Sequence, residues 1–187
     1  MKGFVGSLLV LLVLVLSACG SSNAASVAPT PSPTRPIATE HYIARLSSLN
    51  SSGVSGTIDL RLTGNRLVVI ADASGLEPNQ IHYQHIHGSH DTASTCPTAA
   101  DANASGVITI DQAMQKIGPV ALGFQPYFPI DKHGTMHWSQ TFNLESSELW
   151  AITPLVQHVI VFHGMTSQGV YDKVLPVACG PIEAVTG

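Results

Sequence analysis

Charge is scarce in this chain of 187 residues: Asp, Glu, Lys and Arg make up 11%, and only eight residues are basic. With no basic run there is no electrostatic footprint for nucleic acid, which is not an expected partner. Gly-rich phosphate loops, a Gly-x-Ser-x-Gly elbow and a Ser–His–Asp pattern are all missing, so no signal points to nucleotide or acyl-transfer chemistry. Helical periodicity is nearly absent, with "TIDQAMQKI" (109–117) and "SSELWAI" (146–152) the two candidate short helices. The one long apolar run, Phe4 to Leu16, is too short for a comfortable transmembrane helix.

What that run does have is the length of a signal-peptide core. It follows Met1-Lys2 and ends in Leu16-Ser17-Ala18-Cys19, which resembles a bacterial lipobox. The resemblance implies residues 1–18 as a lipoprotein signal peptide, cleavage before Cys19, and a diacylglyceryl group on that cysteine. The expected location is the cell envelope, extracytoplasmic and anchored to a membrane by lipid. Residues 19–39, rich in Ser, Ala, Thr and Pro with a single charge, carry too little apolar surface to offset ordering entropy and read as a disordered tether. The folded domain is expected over 40–187, long enough for one core. Without the signal peptide, seven basic residues face twelve acidic ones, a net charge of −5.

With Cys19 assigned to lipid, Cys96 and Cys179 form an even pair in an oxidising compartment. A disulfide between them would stabilise the fold by about 4 kcal/mol through loop closure, less any strain. The alternative is a pair of thiolate metal ligands.

Strand signals dominate the domain. "GTIDLRL" alternates, with Ile58, Leu60 and Leu62 on one face and Thr57, Asp59 and Arg61 on the other. Thr63-Gly64-Asn65 is turn chemistry, and "RLVVIAD" completes a hairpin. "HYIARLSSLN" before it, then "IHYQHIH", "HGTMHWSQTFNL", "QHVIVFHGM" and "YDKVLPVACG", add further strands. The expected fold class is all-β, a sandwich or barrel of about eight antiparallel strands. Residues 88–136 carry little strand signal and read as one long connection, of the kind that is functional or pinned.

Four histidines crowd "IHYQHIHGSH". On a strand His85 and His87 share a face and Ile86 points the other way. With Ile86 in the core, His85 and His87 face outward under the long loop. His82 has the parity of Ile86 and reads as a buried structural histidine. His163 ends the apolar strand "VIVFHG", on one face with Val159 and Val161. His133 or His137 is a candidate fourth ligand. Imidazoles suit zinc, copper, iron or nickel. The oxidising location and the lack of carboxylates near His85 and His87 favour copper.

"GLEPNQIHYQHIHG" followed by Cys96, together with "HVIVFHGM" and "YDKVLPVACGPI", resembles the copper/zinc superoxide dismutase superfamily. Residues 41–90 also resemble the CHRD domain, a secreted β module. The resemblance covers about residues 41–97 and 157–182. It implies a Greek-key β-barrel of eight strands, copper on His85, His87 and His163, a structural His82, a Cys96–Cys179 disulfide, and superoxide as substrate. The family's zinc loop and bridging histidine have no counterpart between Cys96 and residue 140, so zinc is not expected. Pro176 stands where the family's substrate-guiding arginine would be. The expected function is an envelope lipoprotein that binds copper, with superoxide dismutase activity implied by the resemblance. The alternative is a CHRD-like structural or interaction module without metal.

Two further segments carry partial motifs. "DANASGVITIDQ", residues 101–112, is spaced like a calcium loop but has Gln112 where the bidentate Glu belongs. A tight Asx-Gly turn is the expected reading, without calcium. "GFQPYFP", residues 123–129, either lines a pocket or packs on the sheet. His41, His90 and His158 have no partner that the sequence identifies.

Overall fold

The computed structural model describes residues 37–127 and 130–186. The expected signal peptide, Cys19 and nearly all of the expected tether lie outside them. Eight strands form one antiparallel sheet: β1 (Thr39–Ser48), β2 (Ser55–Thr63), β3 (Arg66–Ser74), β4 (Tyr83–His87), β5 (Val120–Gly123), β6 (Met136–Asn143), β7 (Val159–Ser167) and β8 (Val170–Ala184). Their order is β5-β4-β7-β8-β1-β2-β3-β6. Two short helices, α1 (Ile110–Ile117) and α2 (Ser146–Ile152), join them.

The first three strands follow from their patterns. Ile58, Leu60 and Leu62 are buried on β2, and Leu67, Val69, Ala71 and Ala73 on β3. A one-residue slip would turn each set to solvent, so alternation sets the register. The hairpin closes through two residues, Gly64 and Asn65, between paired Thr63 and Arg66. Gly64 takes φ +61°, which a side chain would resist. Each of the large buried aliphatic side chains contributes about 1.5–3 kcal/mol.

The sheet curls until its edge strands approach. Phe124, just past β5, packs on Trp138 and Phe142 of β6, with ring centroids 5.8 Å apart in both cases. The Gln140 carboxamide donates across the same gap to the carbonyl of Gln125. Ile86, Ile160 and Phe162 face this enclosed core.

The long connection is more regular than its composition suggests. It contains α1 and β5, the latter only four residues long and hydrogen-bonded to β4. It is also pinned. Cys96 and Cys179 form a disulfide. Asn50 clamps Ile108 through both backbone groups, at 2.8 and 2.9 Å, and also donates to Pro176. Ile108, Ala113 and Ile117 bury against Val159, Val161 and Leu49 in a second, smaller core on the outer face of β7. The layer so formed covers the face of β4 and β7 that turns away from the main core.

Candidate metal centre

β4 and β7 are antiparallel neighbours, with His87 opposite Val159, His85 opposite Val161 and Tyr83 opposite His163. Residues directly opposite share a face, so Tyr83, His85, His87 and His163 project on one side, away from Ile86 and Phe162. On its other side β7 pairs with β8, and that ladder shifts register on both sides of His163; irregularities of this kind re-aim side chains next to functional sites.

The three imidazoles form a nearly equilateral triangle. Ring centroids are 5.4 Å apart for His85–His87, 5.3 Å for His85–His163 and 5.5 Å for His87–His163. One nitrogen from each lies within 4.8 Å of the others. Ligand bonds of about 2.0–2.1 Å would need those nitrogens to close in by roughly 1 Å. No carboxylate or thiolate joins the group among the described residues.

Hydrogen bonding decides which nitrogens are free. His87 Nδ1 donates to the Gly118 carbonyl at 3.0 Å, and His163 Nδ1 donates to the Val174 carbonyl at 2.9 Å. A carbonyl only accepts, so the proton is on Nδ1 and the lone pair on Nε2. Both Nε2 atoms are buried without a partner, as is Nδ1 of His85. Three orphaned, buried ring nitrogens, two of them with the lone pair fixed by these bonds, are costly in a bare protein interior. Ligation of a cation would satisfy all three, with two ligands already oriented by backbone carbonyls.

Electrostatics agree with that geometry. Burial, then the neighbouring His87, lowers the His85 pKa from 6.5 to about 4. Burial outweighs the Val174 hydrogen bond and, with His87 and His85 adding to it, lowers His163 from 6.5 to about 3. His87 is also lowered by burial, against the opposing bond to Gly118. All three rings are therefore neutral at pH 7, the form that binds metal.

His82 occupies the layer behind. It is fully buried, with Nδ1 3.0 Å from the carbonyl oxygen of His163 and Nε2 3.0 Å from that of Glu77. Its role is to hold backbone. Gly164 is pressed against both the Tyr171 phenol and the His82 ring and takes φ +111°, so no side chain fits beside this pair.

The outward orientation expected for His85 and His87 holds, but the covering layer leaves His87 only 1% exposed and His163 2%. His133 and His137 are not brought to the centre. The His137 side chain is 78% exposed and paired with Asp72 across β6 and β3. His133 sits in a turn whose amides bond to Asp131. Sequence spacing could not separate them from ligands, because the face of His137 depends on the β3–β6 pairing and the place of His133 on the turn before it.

Other residues found partners only through the fold. Both ring nitrogens of His158 face carbonyl oxygens, Pro154 at 3.1 Å and Ala151 at 2.9 Å. His90 stacks on Trp150 at 4.5 Å, and His41 pairs with Asp59. In the calcium-like segment, Asp101 accepts from Thr98 and pairs with Lys116, while Asn103 Oδ1 accepts the amides of Ser105 and Val107. The Asn103 oxygen is thus engaged in an Asx turn and the Asp101 carboxylate in a capping interaction. Tyr127, from "GFQPYFP", packs against His85; Phe128 and Pro129 lie outside the described residues. Tyr83 and Tyr127 also line a groove of about 1220 Å³, together with Tyr171 and Lys173.

No family model matches the sequence. No curated protein matches it either. Among solved structures the chain is similar to superoxide dismutase 5 of Candida albicans in its Cu(II) form, with 14% identity, a TM-score of 0.48, and coverage of 80% of this chain and 94% of that one.

Proposed function

We propose that this domain is an extracytoplasmic copper-binding module, held to a membrane through a lipid on Cys19, with His85, His87 and His163 as the metal ligands. The observation that carries the reading is the set of three buried, unpartnered nitrogens that face one another. Three neutral imidazoles without a carboxylate suit a borderline transition metal, and among divalent ions copper heads the affinity order. The intact Cys96–Cys179 disulfide fits an oxidising compartment.

Copper at such a site would supply one-electron exchange between its two oxidation states, the chemistry that superoxide dismutation uses. The protein's part is to hold two rings by their Nδ1 protons, to keep all three neutral, and to exclude bulk water. Pro176 at the guiding-arginine position supports copper holding over fast turnover of an anionic substrate.

The test is Cu(II) titration followed by electron paramagnetic resonance, with superoxide turnover measured on the same samples. One equivalent of nitrogen-ligated Cu(II), lost in His85→Ala/His87→Ala and retained in His133→Ala/His137→Ala, is the expected result. A spectrum unchanged by the first double substitution would overturn the reading.

A further inference from the structure

The three imidazoles are not held alike. His87 and His163 each have a carbonyl on Nδ1. His85 has none: among the described residues neither of its nitrogens has a hydrogen-bond partner, and Nδ1 is buried. Among the described residues, its orientation comes from packing.

That packing is specific. The Tyr127 ring stands edge-on to His85, at 5.8 Å and 87°. Tyr83 flanks His85 at 6.1 Å and itself packs on Tyr127 at 4.9 Å. Gly123, the residue opposite His85 on β5, gives Tyr127 its room. A methyl group there would lie 2.8 Å from the Tyr127 hydroxyl and 3.5 Å from His85 Cδ2. The hydroxyl is buried, with the Gln125 carboxamide beside it, and it is the ring that meets His85.

We propose that Tyr127 is a positioning residue for the metal centre, whose ring, seated over Gly123, fixes the rotamer of His85, the one ligand no hydrogen bond orients. The inference rests on the copper reading for its consequence, but not for its geometry. An edge-to-face ring against His85 leaves that imidazole one orientation, with Nδ1 toward the other two rings. Remove the ring, and His85 gains rotamers in which Nδ1 points elsewhere. The metal would then keep two oriented ligands and meet a third that is oriented only part of the time.

Four proteins test this: wild type, Tyr127→Phe, Tyr127→Ala and Gly123→Ala. The first readout needs no metal. In the metal-free protein, side-chain NMR of the histidine rings should show one ordered state for His85 in wild type and Tyr127→Phe. Tyr127→Ala should shift and average the His85 signals while those of His87 and His163 stay in place, and Gly123→Ala should move the same signals by displacing Tyr127. The second readout is Cu(II). Tyr127→Ala should weaken affinity by roughly tenfold or more, as losses around a ligand do, and split the paramagnetic spectrum into several species. Tyr127→Phe should restore both, since the ring does the positioning.

Unchanged His85 signals in Tyr127→Ala would overturn the proposal, as would Tyr127→Phe behaving like Tyr127→Ala. If wild type takes up no copper, the proposed function fails, and the metal-free NMR comparison still decides the role of Tyr127.

Discussion

His82 stands directly behind His163: its Nδ1 lies 3.0 Å from the His163 carbonyl oxygen, while its Nε2 reaches the carbonyl of Glu77. A histidine outside the triangle of imidazoles thus holds the backbone of one inside it. The same contact ties the loop before β4 to β7, and Tyr171 extends it, packing on His82 at 6.0 Å and donating to the Ile81 carbonyl.

Replacing His82 by Ala should therefore cost stability first. It leaves a backbone carbonyl short of its donor and a cavity the size of an imidazole, about 2–4 kcal/mol together. Chemical denaturation of the metal-free protein measures that loss. Copper affinity should fall as well, although the three proposed ligands are intact. Wild-type stability in His82→Ala would show that water replaces the ring without cost.

Acid should weaken the metal-free fold in a defined window. His85 and His163 have pKa values lowered from 6.5 to about 4 and about 3 in the folded chain. As pH drops below 6.5 the unfolded chain takes up protons that the folded one refuses, so unfolding becomes more favourable. Their contribution to stability is full above 6.5, shrinks as pH falls toward 4 and then 3, and levels off below. Denaturation midpoints of wild type and His163→Phe, compared between pH 7.5 and 4, check this. The variant should show the shallower decline, and equal slopes would mean that the burial of His163 is not what makes the fold acid-sensitive.

On the copper reading, the disulfide should matter for more than stability. Cys96 and Cys179 close 83 residues of chain, worth about 4 kcal/mol by loop entropy. The layer they pin includes Gly118, whose carbonyl orients His87. Cys96→Ser/Cys179→Ser should lower the denaturation midpoint, raise amide exchange across residues 88–119, and weaken copper binding. Exchange confined to the immediate neighbours of the two serines would argue that Asn50 and the small core hold the layer unaided.

Much of the scaffold is legible one residue at a time. Alternation in "GTIDLRL" and "RLVVIAD" specifies two half-buried strands and, through Gly64, their hairpin. The two helical segments, 109–117 and 146–152, lie where α1 and α2 form, because Thr109 and Gln112, and Glu145 and Glu148, close capping interactions within a few residues. β5 escapes such reading: four residues, "VALG", have too short a pattern, and only the free edge of β4 makes them a strand. Tyr127 escapes it too, since nothing in "GFQPYFP" shows that its ring meets His85.

The sequence by itself determined the strand periods, the shared face of His85 and His87, and a cysteine pair suited to an oxidising compartment, because these depend on local geometry and composition. Only the tertiary structure decided that His163 completes a triangle while His133 and His137 stay outside it. It also decided which nitrogens carry protons, since that choice belongs to Gly118 and Val174, carbonyls 31 and 11 residues away from the rings they orient. The physical reason is that a ligand set is a matter of strand pairing and register. Neighbours in a sheet are made by hydrogen bonds between distant segments, and no spacing along the chain records them.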